Sequence, residues 1–195
     1  MKKRREQGFT LYELLITLVV VSIVLSFGIP NLRSFTQNSR MSAAANDLLG
    51  TFQTARSEAA RSKQNVSICA STNATSATPS CGGEFEDGWL LFVDPNGDAQ
   101  YSAGEVLLRA YPAMGRDIDV TAAGQGHYFA YGPNGLGRGT IGALPPTTAA
   151  VLCDERGNVA ASGNVSAARV LRVLPIGRAT VLRTVAQVND QGGCP

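Results

Sequence analysis

Histidine and cysteine are scarce in this chain of 195 residues, which has one His and four Cys. His127 lies in "GQGHYFAYG", and no nucleophile motif such as G-x-S-x-G accompanies it, so the sequence offers no catalytic mechanism. No two cysteines form a C-x-x-C motif, and the presence of one histidine argues against a zinc site of the usual kind. The sequence therefore predicts a protein that is not an enzyme and that needs no cofactor.

Charged residues are also few, at 16% of the chain, and the two signs are segregated. Residues 66–130 hold eight acidic and two basic side chains, whereas residues 131–195 hold three acidic and six basic ones. The composition, with 44% hydrophobic residues and 21 glycines, suits one sheet-rich globular domain plus a membrane segment. Neither disorder nor a coiled coil fits it.

The four cysteines are Cys69, Cys81, Cys153 and Cys194, an even number that favours disulfides if the domain lies outside the cytoplasm. Three pairings are possible. Sequence proximity favours Cys69–Cys81, which would close a polar loop, and Cys153–Cys194, which would tie down the C-terminus.

One long apolar segment stands near the N-terminus, at residues 9–30, with Glu13 as its only charge. It is long enough to cross a hydrocarbon core of about 30 Å as a helix. The basic residues before it predict that the N-terminus stays in the cytoplasm and that the rest of the chain lies outside. A secretory signal fits less well, because the segment is longer than a signal core and no A-x-A-like site follows it.

A plain membrane anchor does not explain Glu13. An ionised carboxylate in lipid costs about 2.5–3.5 kcal/mol on insertion scales, so it persists where it has a partner. A free amino group on Phe9, in the same chain or in a neighbouring copy, would be such a partner and would require cleavage after Gly8. The alternative is that Glu13 lies at the membrane interface.

The segment "GFTLYELLITLVVVSIVLSFGIP" resembles the class III signal of type IV pilins and pseudopilins, with Gly8, Phe9, Thr10, Leu11 and Glu13 at the matching positions. The resemblance implies that residues 1–8 are a leader removed by a prepilin peptidase and that the Phe9 amine is then methylated. It also implies that Glu13 pairs with the N-terminal amine of a neighbouring subunit during filament assembly.

A second, amphipathic helical stretch is predicted over residues 31–64, because small and apolar residues recur there every three or four positions. They are Met41, Ala44, Ala45, Leu48, Leu49, Phe52, Ala55 and Ala59. Gly28 and Pro30 should loosen or kink the helix between its membrane half and this half.

Short apolar or alternating runs separated by Gly, Pro, Asn and Asp fill residues 65–195 and predict antiparallel strands. The runs are "NVSICA", "GWLLFVD", "EVLLRAY", "IDVTAA", "GHYFAYG", "AAVLCD", "ARVLRVLP" and "ATVLRTVAQV". The expected fold class is therefore α+β, with a long N-terminal helix packed on an antiparallel β-sheet.

Together with "YGPNGLGRG", "LCDERG" and "ARVLRVLPIGRA", these segments resemble the GspH/FimT family of type IV pilin-like proteins. The resemblance implies a minor pilin that assembles into or primes a type IV pilus with other major and minor pilins. A minor pseudopilin of type II secretion is the alternative. The implied location is the inner membrane, with residues 65–195 as a periplasmic head that enters the filament.

Residues 94–105, "DPNGDAQYSAGE", place Asp94, Asn96, Asp98 and Glu105 among the ligand positions of a calcium-type loop. Ala99 occupies the position where such a loop has Gly, and the flanks read as strands. A hairpin turn rich in Asp, Asn and Gly is the favoured interpretation, with no metal.

The segment "PIGRATVLR" suggests nucleic acid, because FimT-like proteins carry a C-terminal Gly-Arg-x-Arg element associated with DNA binding in natural transformation. Gly177 and Arg178 match it, but Thr180 replaces the second Arg. Arg178, Arg183, Arg172 and Arg169 could still form a basic patch for phosphates. No aromatic residues are interleaved with them, and solvated arginines on a hairpin are the favoured interpretation.

Overall fold

The fold was determined as a computed structural model that describes residues 9–115, 117–124, 126–159 and 162–194. The chain divides into two compact units between Ser39 and Arg40. The leader, residues 1–8, lies outside the described residues, and with it the expected cleavage at Gly8.

A single helix, α1 (Leu11–Ser62), contains both predicted helical segments. The helix assignment continues through Gly28 and Pro30, so the expected loosening does not appear as a break. A proline removes one backbone N–H, and the bonds on either side can maintain the helix. Past Ser62 the backbone of Lys63 turns left-handed, with φ 58°, while its N–H donates to the Ala59 carbonyl at 3.0 Å.

Eight strands and a short helix follow: β1 (Val66–Ala70), β2 (Trp89–Val93), β3 (Leu107–Tyr111), β4 (Asp119–Ala123), β5 (Tyr128–Tyr131), β6 (Ala149–Cys153), β7 (Val165–Val173), β8 (Ala179–Thr184) and α2 (Val185–Asn189). They form two four-stranded antiparallel sheets, ordered β3-β2-β1-β5 and β4-β6-β7-β8. The α+β class is confirmed, and every predicted strand segment contributes a strand. The strands form two sheets where one was expected.

The last predicted strand, "ATVLRTVAQV", is right for its first six residues and wrong for "VAQV", which is the start of α2. Thr184 caps that helix: its hydroxyl accepts from the Gln187 N–H at 3.3 Å, and the Gln187 side chain accepts from the Thr184 N–H at 3.2 Å. This capping box provides two of the hydrogen bonds that a helix start needs, and it ends the strand.

The main core lies where the second half of α1 packs against one face of both sheets. The helix contributes Met41, Ala45, Leu48, Phe52, Ala55 and Ala59, all buried, which confirms the predicted apolar face. The opposite faces of the two sheets are also covered, since separate buried clusters surround Leu90 in the first sheet and Val170 in the second. Central strands are therefore buried on both faces and lack polar alternation.

Every buried residue among those described lies at or beyond Met41. Both disulfides also fall in the second unit, which extends from Arg40 to the C-terminus. The unit called the head below (residues 40–195) therefore contains a hydrophobic core of its own, independent of the first unit.

Candidate assembly site and head surfaces

The first unit presents an apolar surface all round the helix. Every described large hydrophobic side chain from Phe9 to Phe35 is exposed. A helix that is apolar on all sides is stable inside a membrane or inside a larger assembly rather than in water. Among the described residues, α1 is the one helix whose length and composition would allow it to cross a membrane.

Hydroxyl groups inside this apolar surface bond to the helix itself. Thr17, Ser22, Ser26 and Thr36 each donate to a carbonyl three or four residues earlier, at 2.7–2.8 Å. Such bonds remove the cost of placing a hydroxyl in an apolar medium. Polar residues in this half therefore do not argue against burial in lipid or protein.

Glu13 has a local role that the sequence interpretation missed. Its carboxylate accepts from the Thr10 N–H at 2.9 Å and from the Thr10 hydroxyl at 2.8 Å, while its own N–H donates to that hydroxyl at 3.2 Å. This is a capping box at the start of α1, and the T-x-x-E spacing was the signal that could have revealed it. Phe9, just before it, is exposed.

The two disulfides are Cys69–Cys81 and Cys153–Cys194, the pairing that sequence proximity favoured. The first joins β1 to the polar loop after it. The second joins the end of β6 to the C-terminal segment behind α2. Cys69 and Cys153 are both buried, so each disulfide anchors a surface segment to a core strand.

In the acidic loop, Asp94 is fully buried and all its acceptor capacity is directed at protein donors. Its carboxylate accepts from the Ser67 hydroxyl at 2.6 Å and from the backbone N–H groups of Gly97, Asp98 and Ala99 at 2.7–3.2 Å. The backbone at Ala99 is left-handed, with φ 58°. Asp94 therefore builds a turn, as the hairpin interpretation proposes.

The other candidate ligands in that loop also bond locally. The Asn96 amide donates to Asp98 at 2.9 Å, Asp98 accepts from the Gln100 N–H at 2.8 Å, and Glu105 accepts from the Ser102 N–H at 2.8 Å. Burial is the main cause that raises the pKa of Glu105, with smaller contributions from the two nearby Asp carboxylates. No group of three or more metal-ligating side chains occurs among the described residues.

His127 lies beside the first disulfide and has a carboxylate partner. Its Nδ1 is 2.9 Å from Glu84 Oε2. The contact joins two loops of the head, and among the described residues no nucleophile bonds to it.

The four candidate arginines do not form one patch. Arg169 lies opposite Leu152 on the neighbouring strand, and Leu152 belongs to the core beneath α1. Arg172 is two residues past Val170, so it shares the other face of the sheet, which packs against α2. Residues two apart on a strand share a face, so Arg183 faces the α1 side with Val181. Arg169 and Arg183 therefore lie on the α1 side of the second sheet, and Arg172 lies on the opposite face.

Arg169 is already engaged by its own strand. Its guanidinium donates to the carbonyls of Ser166, Ala167 and Ala168 at 2.7–3.2 Å, next to a register shift in β7. Burial lowers the pKa of Arg169, and neighbouring arginines lower it further. This residue closes a β-bulge through one nitrogen of its guanidinium, Nη1.

Gly177 of the Gly-Arg pair has a structural reason to be glycine. Its φ is +76°, and a Cβ there would lie 2.7 Å from the Tyr131 ring. The Tyr131 hydroxyl donates to the Gly177 carbonyl at 3.0 Å. Arg178, the next residue, is exposed and lines a groove of about 470 Å³ with Phe52, Arg56 and Tyr131.

Two family models match the chain. The model described as "Type II transport protein GspH" covers residues 44–177, and the model of the prokaryotic N-terminal methylation motif covers residues 3–29. No curated protein sequence matches the chain.

Two solved structures are similar to it, both of the type IV minor pilin FimU of Pseudomonas aeruginosa. One, in space group P21, is 21% identical, with a TM-score of 0.45 over 76% of this chain and 92% of that one. The other, in space group P65, is 20% identical, with a TM-score of 0.42 over 72% and 91%. On the strength of the family models, the chain belongs to the GspH family of pilin-like proteins and carries the prokaryotic N-terminal methylation motif.

Proposed function

We propose that this protein is a minor pilin that is cleaved after Gly8, methylated on Phe9, and then assembles into or primes a type IV pilus. The observation that carries the proposal is the helix of the first unit, apolar on all sides and exposed, with one carboxylate near its start. Such a surface needs either lipid or neighbouring helices around it. A filament subunit uses both, before and after assembly.

In this proposal Glu13 forms the contact between the helices of neighbouring subunits. In the single chain its carboxylate is held by Thr10, which keeps it at the helix start. During assembly the carboxylate would accept from the methylated amine of a neighbouring copy, which would fix the axial register of the two helices. A charge pair in an apolar medium discriminates strongly against wrong registers, because each unpaired charge there is costly.

The implied partners are the prepilin peptidase, the inner membrane, and other major and minor pilins. Residues 65–195 would lie in the periplasm before assembly. The two disulfides fit an oxidising compartment of that kind.

A minor pseudopilin of the type II secretion system is the second candidate, and the description of the matching family favours it. DNA binding in natural transformation is the third, and the structure gives it less support, because the candidate arginines lie on different faces. All three share the same N-terminal assembly chemistry.

Deletion of the gene distinguishes the machines. Surface pilin is sheared from deletion, parent and complemented cells, and secreted proteins are measured in the same cultures. Loss of surface pilin that complementation restores supports the pilus. Normal pili with a secretion defect would contradict the first proposal and support the second.

A further inference from the structure

The groove beside Arg178 runs between α1 and the outer edge of β8, and its volume is about 470 Å³. Residues 177–181, five in a row, line one side of it, and Leu49, Phe52, Gln53 and Arg56 line the other. A sheet face presents every second residue, so a run of consecutive residues shows that the groove follows the strand edge. The α1 residues are three and four positions apart and therefore form one stripe of the helix.

The backbone of β8 has unpaired hydrogen-bonding groups on this edge. β8 is the last strand of its sheet, with β7 on its other side. At the hairpin end of the two strands, the Leu174 N–H donates to the Arg178 carbonyl at 3.0 Å. Pairs that exchange hydrogen bonds alternate along an antiparallel ladder with pairs that do not. Thr180 therefore bonds to β7, whereas Ala179 and Val181 point their N–H and C=O groups outward, where no described residue bonds to them.

The hairpin end of the groove is positively charged. Arg56 and Arg178 both line the groove, and none of the described residues lining it carries a carboxylate. The Arg56 Nε donates to the Gly135 carbonyl at 3.0 Å, and a Cβ on Gly177 would lie 3.0 Å from the same oxygen, so Arg56 lies close to the hairpin. Neither arginine forms an ion pair within the described part of the chain.

The size and the lining of the groove fit a short extended peptide. Its lining spans about 10 Å along α1 and about 13 Å along β8, the length of roughly four residues in a strand. Between its ends the groove is lined by Phe52 and Leu49 on the helix and by Val181 on the strand. A peptide strand satisfies the outward N–H and C=O groups, and its terminal carboxylate matches two arginines.

We propose that this groove binds the C-terminal segment of a partner polypeptide, which joins the sheet as a strand antiparallel to β8. The antiparallel direction places the terminal carboxylate at the hairpin end, beside Arg56 and Arg178. Main-chain hydrogen bonds to the strand edge hold the segment, and an apolar side chain enters the middle of the groove. The inference goes beyond the proposed filament function and rests on one part of it, the location of residues 65–195 in the periplasm.

A peptide array tests the proposal. The last eight residues of every exported protein of the organism are synthesised once with a free C-terminal carboxylate and once with a C-terminal amide. The full-length protein, purified in detergent, is applied to both sets. We expect a few carboxylate peptides to bind, and the amide form of each to bind about tenfold more weakly, because it lacks the charge that the arginines recognise.

Substitutions separate the charge from the strand edge. Arg178→Gln should weaken the tightest carboxylate peptide by about tenfold, whereas the control Arg172→Gln, at another exposed arginine, should not weaken it. Val181→Pro removes an outward N–H and should abolish binding with little change in the urea midpoint, since edge strands accept proline. Thr180→Pro should instead lower the midpoint, because the bond to β7 needs its N–H.

Amide hydrogen exchange examines the strand edge without any substitution. In the protein alone, the N–H groups of Ala179 and Val181 should exchange faster than that of Thr180, which is bonded to β7. The tightest carboxylate peptide should slow exchange at Ala179 and Val181 by about tenfold or more, because both N–H groups acquire an acceptor.

The inference would be overturned by an array without carboxylate-dependent binding, by equal binding to Arg178→Gln, or by a peptide that leaves exchange at Ala179 and Val181 unchanged. Duplex DNA that displaces the peptide, with an affinity that Val181→Pro does not alter, would assign the groove to nucleic acid instead. The array needs no filament, so its failure leaves the proposed pilus function standing. Normal pili in the deletion strain would likewise leave the peptide site standing.

Discussion

Glutamine at position 13 separates helix capping from subunit pairing. Glutamine serves as well as glutamate in a capping box, so Glu13→Gln retains the bonds with Thr10 and removes only the charge. Thr10→Ala does the opposite, because it removes the cap and leaves the carboxylate. The two variants are therefore a matched pair around one contact.

The expected magnitudes differ widely. Loss of an N-cap costs about 1 kcal/mol, or roughly fivefold in an equilibrium. Removing one partner of a buried charge pair costs about 3–5 kcal/mol, because the other charge is left unpaired in an apolar medium. At about 1.4 kcal/mol per factor of ten, Glu13→Gln should lower incorporation into filaments at least a hundredfold.

The assay is the amount of this chain in the sheared filament fraction, divided by its amount in the membrane fraction. The membrane amount controls for insertion and stability of the variant. We expect near-complete loss for Glu13→Gln and a modest loss for Thr10→Ala. Normal incorporation of Glu13→Gln would refute the pairing argument and leave Glu13 as a helix cap.

Four further predictions concern the head (residues 40–195), whose unfolding in urea can be followed by the fluorescence of its single tryptophan. Replacing Cys153 and Cys194 by Ala opens a loop of 41 residues and should lower the free energy of unfolding by about 3.9 kcal/mol. Removing the Cys69–Cys81 disulfide, which spans 12 residues, should lower it by about 2.8 kcal/mol. Equal losses would contradict the loop-entropy reasoning. Asp94→Ala leaves buried N–H groups without an acceptor and should lower the free energy of unfolding by about 3–5 kcal/mol. Neither calcium nor a chelator should measurably change the urea midpoint of the unaltered head. The pKa of Glu105 is raised in the folded head, so ionised Glu105 destabilises the head as pH rises above the unfolded value near 4.5. The Glu105→Gln head should therefore be more stable than the unaltered head at pH 7, and this difference should vanish in acid. Duplex DNA titrated into the head at low and high salt should not bind tightly. Tight, salt-sensitive binding that is lost in Arg178→Ala would instead support the nucleic-acid candidate.

The apolar faces of α1 and of the central strands could be predicted from the sequence because burial imposes a period on it. Met41 to Ala59 repeat at helical spacing, and that face is buried. The strands were found as short apolar runs between turn residues. The division into two sheets was not, because hydrogen-bond partners across long loops leave no local pattern.

Capping was the recurrent omission. Thr10 with Glu13 and Thr184 with Gln187 both have the S/T-x-x-E/Q spacing, yet the first was interpreted through its charge and the second as part of a strand. Both signals were present in the sequence. A capping box at Glu13 and the proposed pairing are compatible, since the bonds with Thr10 hold the carboxylate at the helix start, where the pairing would use it.

Mass spectrometry of isolated filaments shows whether this chain is processed at Gly8 and assembled. Pili or pseudopili are purified from cells, and peptides of this chain are sought together with its N-terminal peptide. We expect the chain to be present and to begin at Phe9 with one added methyl group. Absence of the chain from filaments, or its presence there with residues 1–8 intact, would rule out the proposed function.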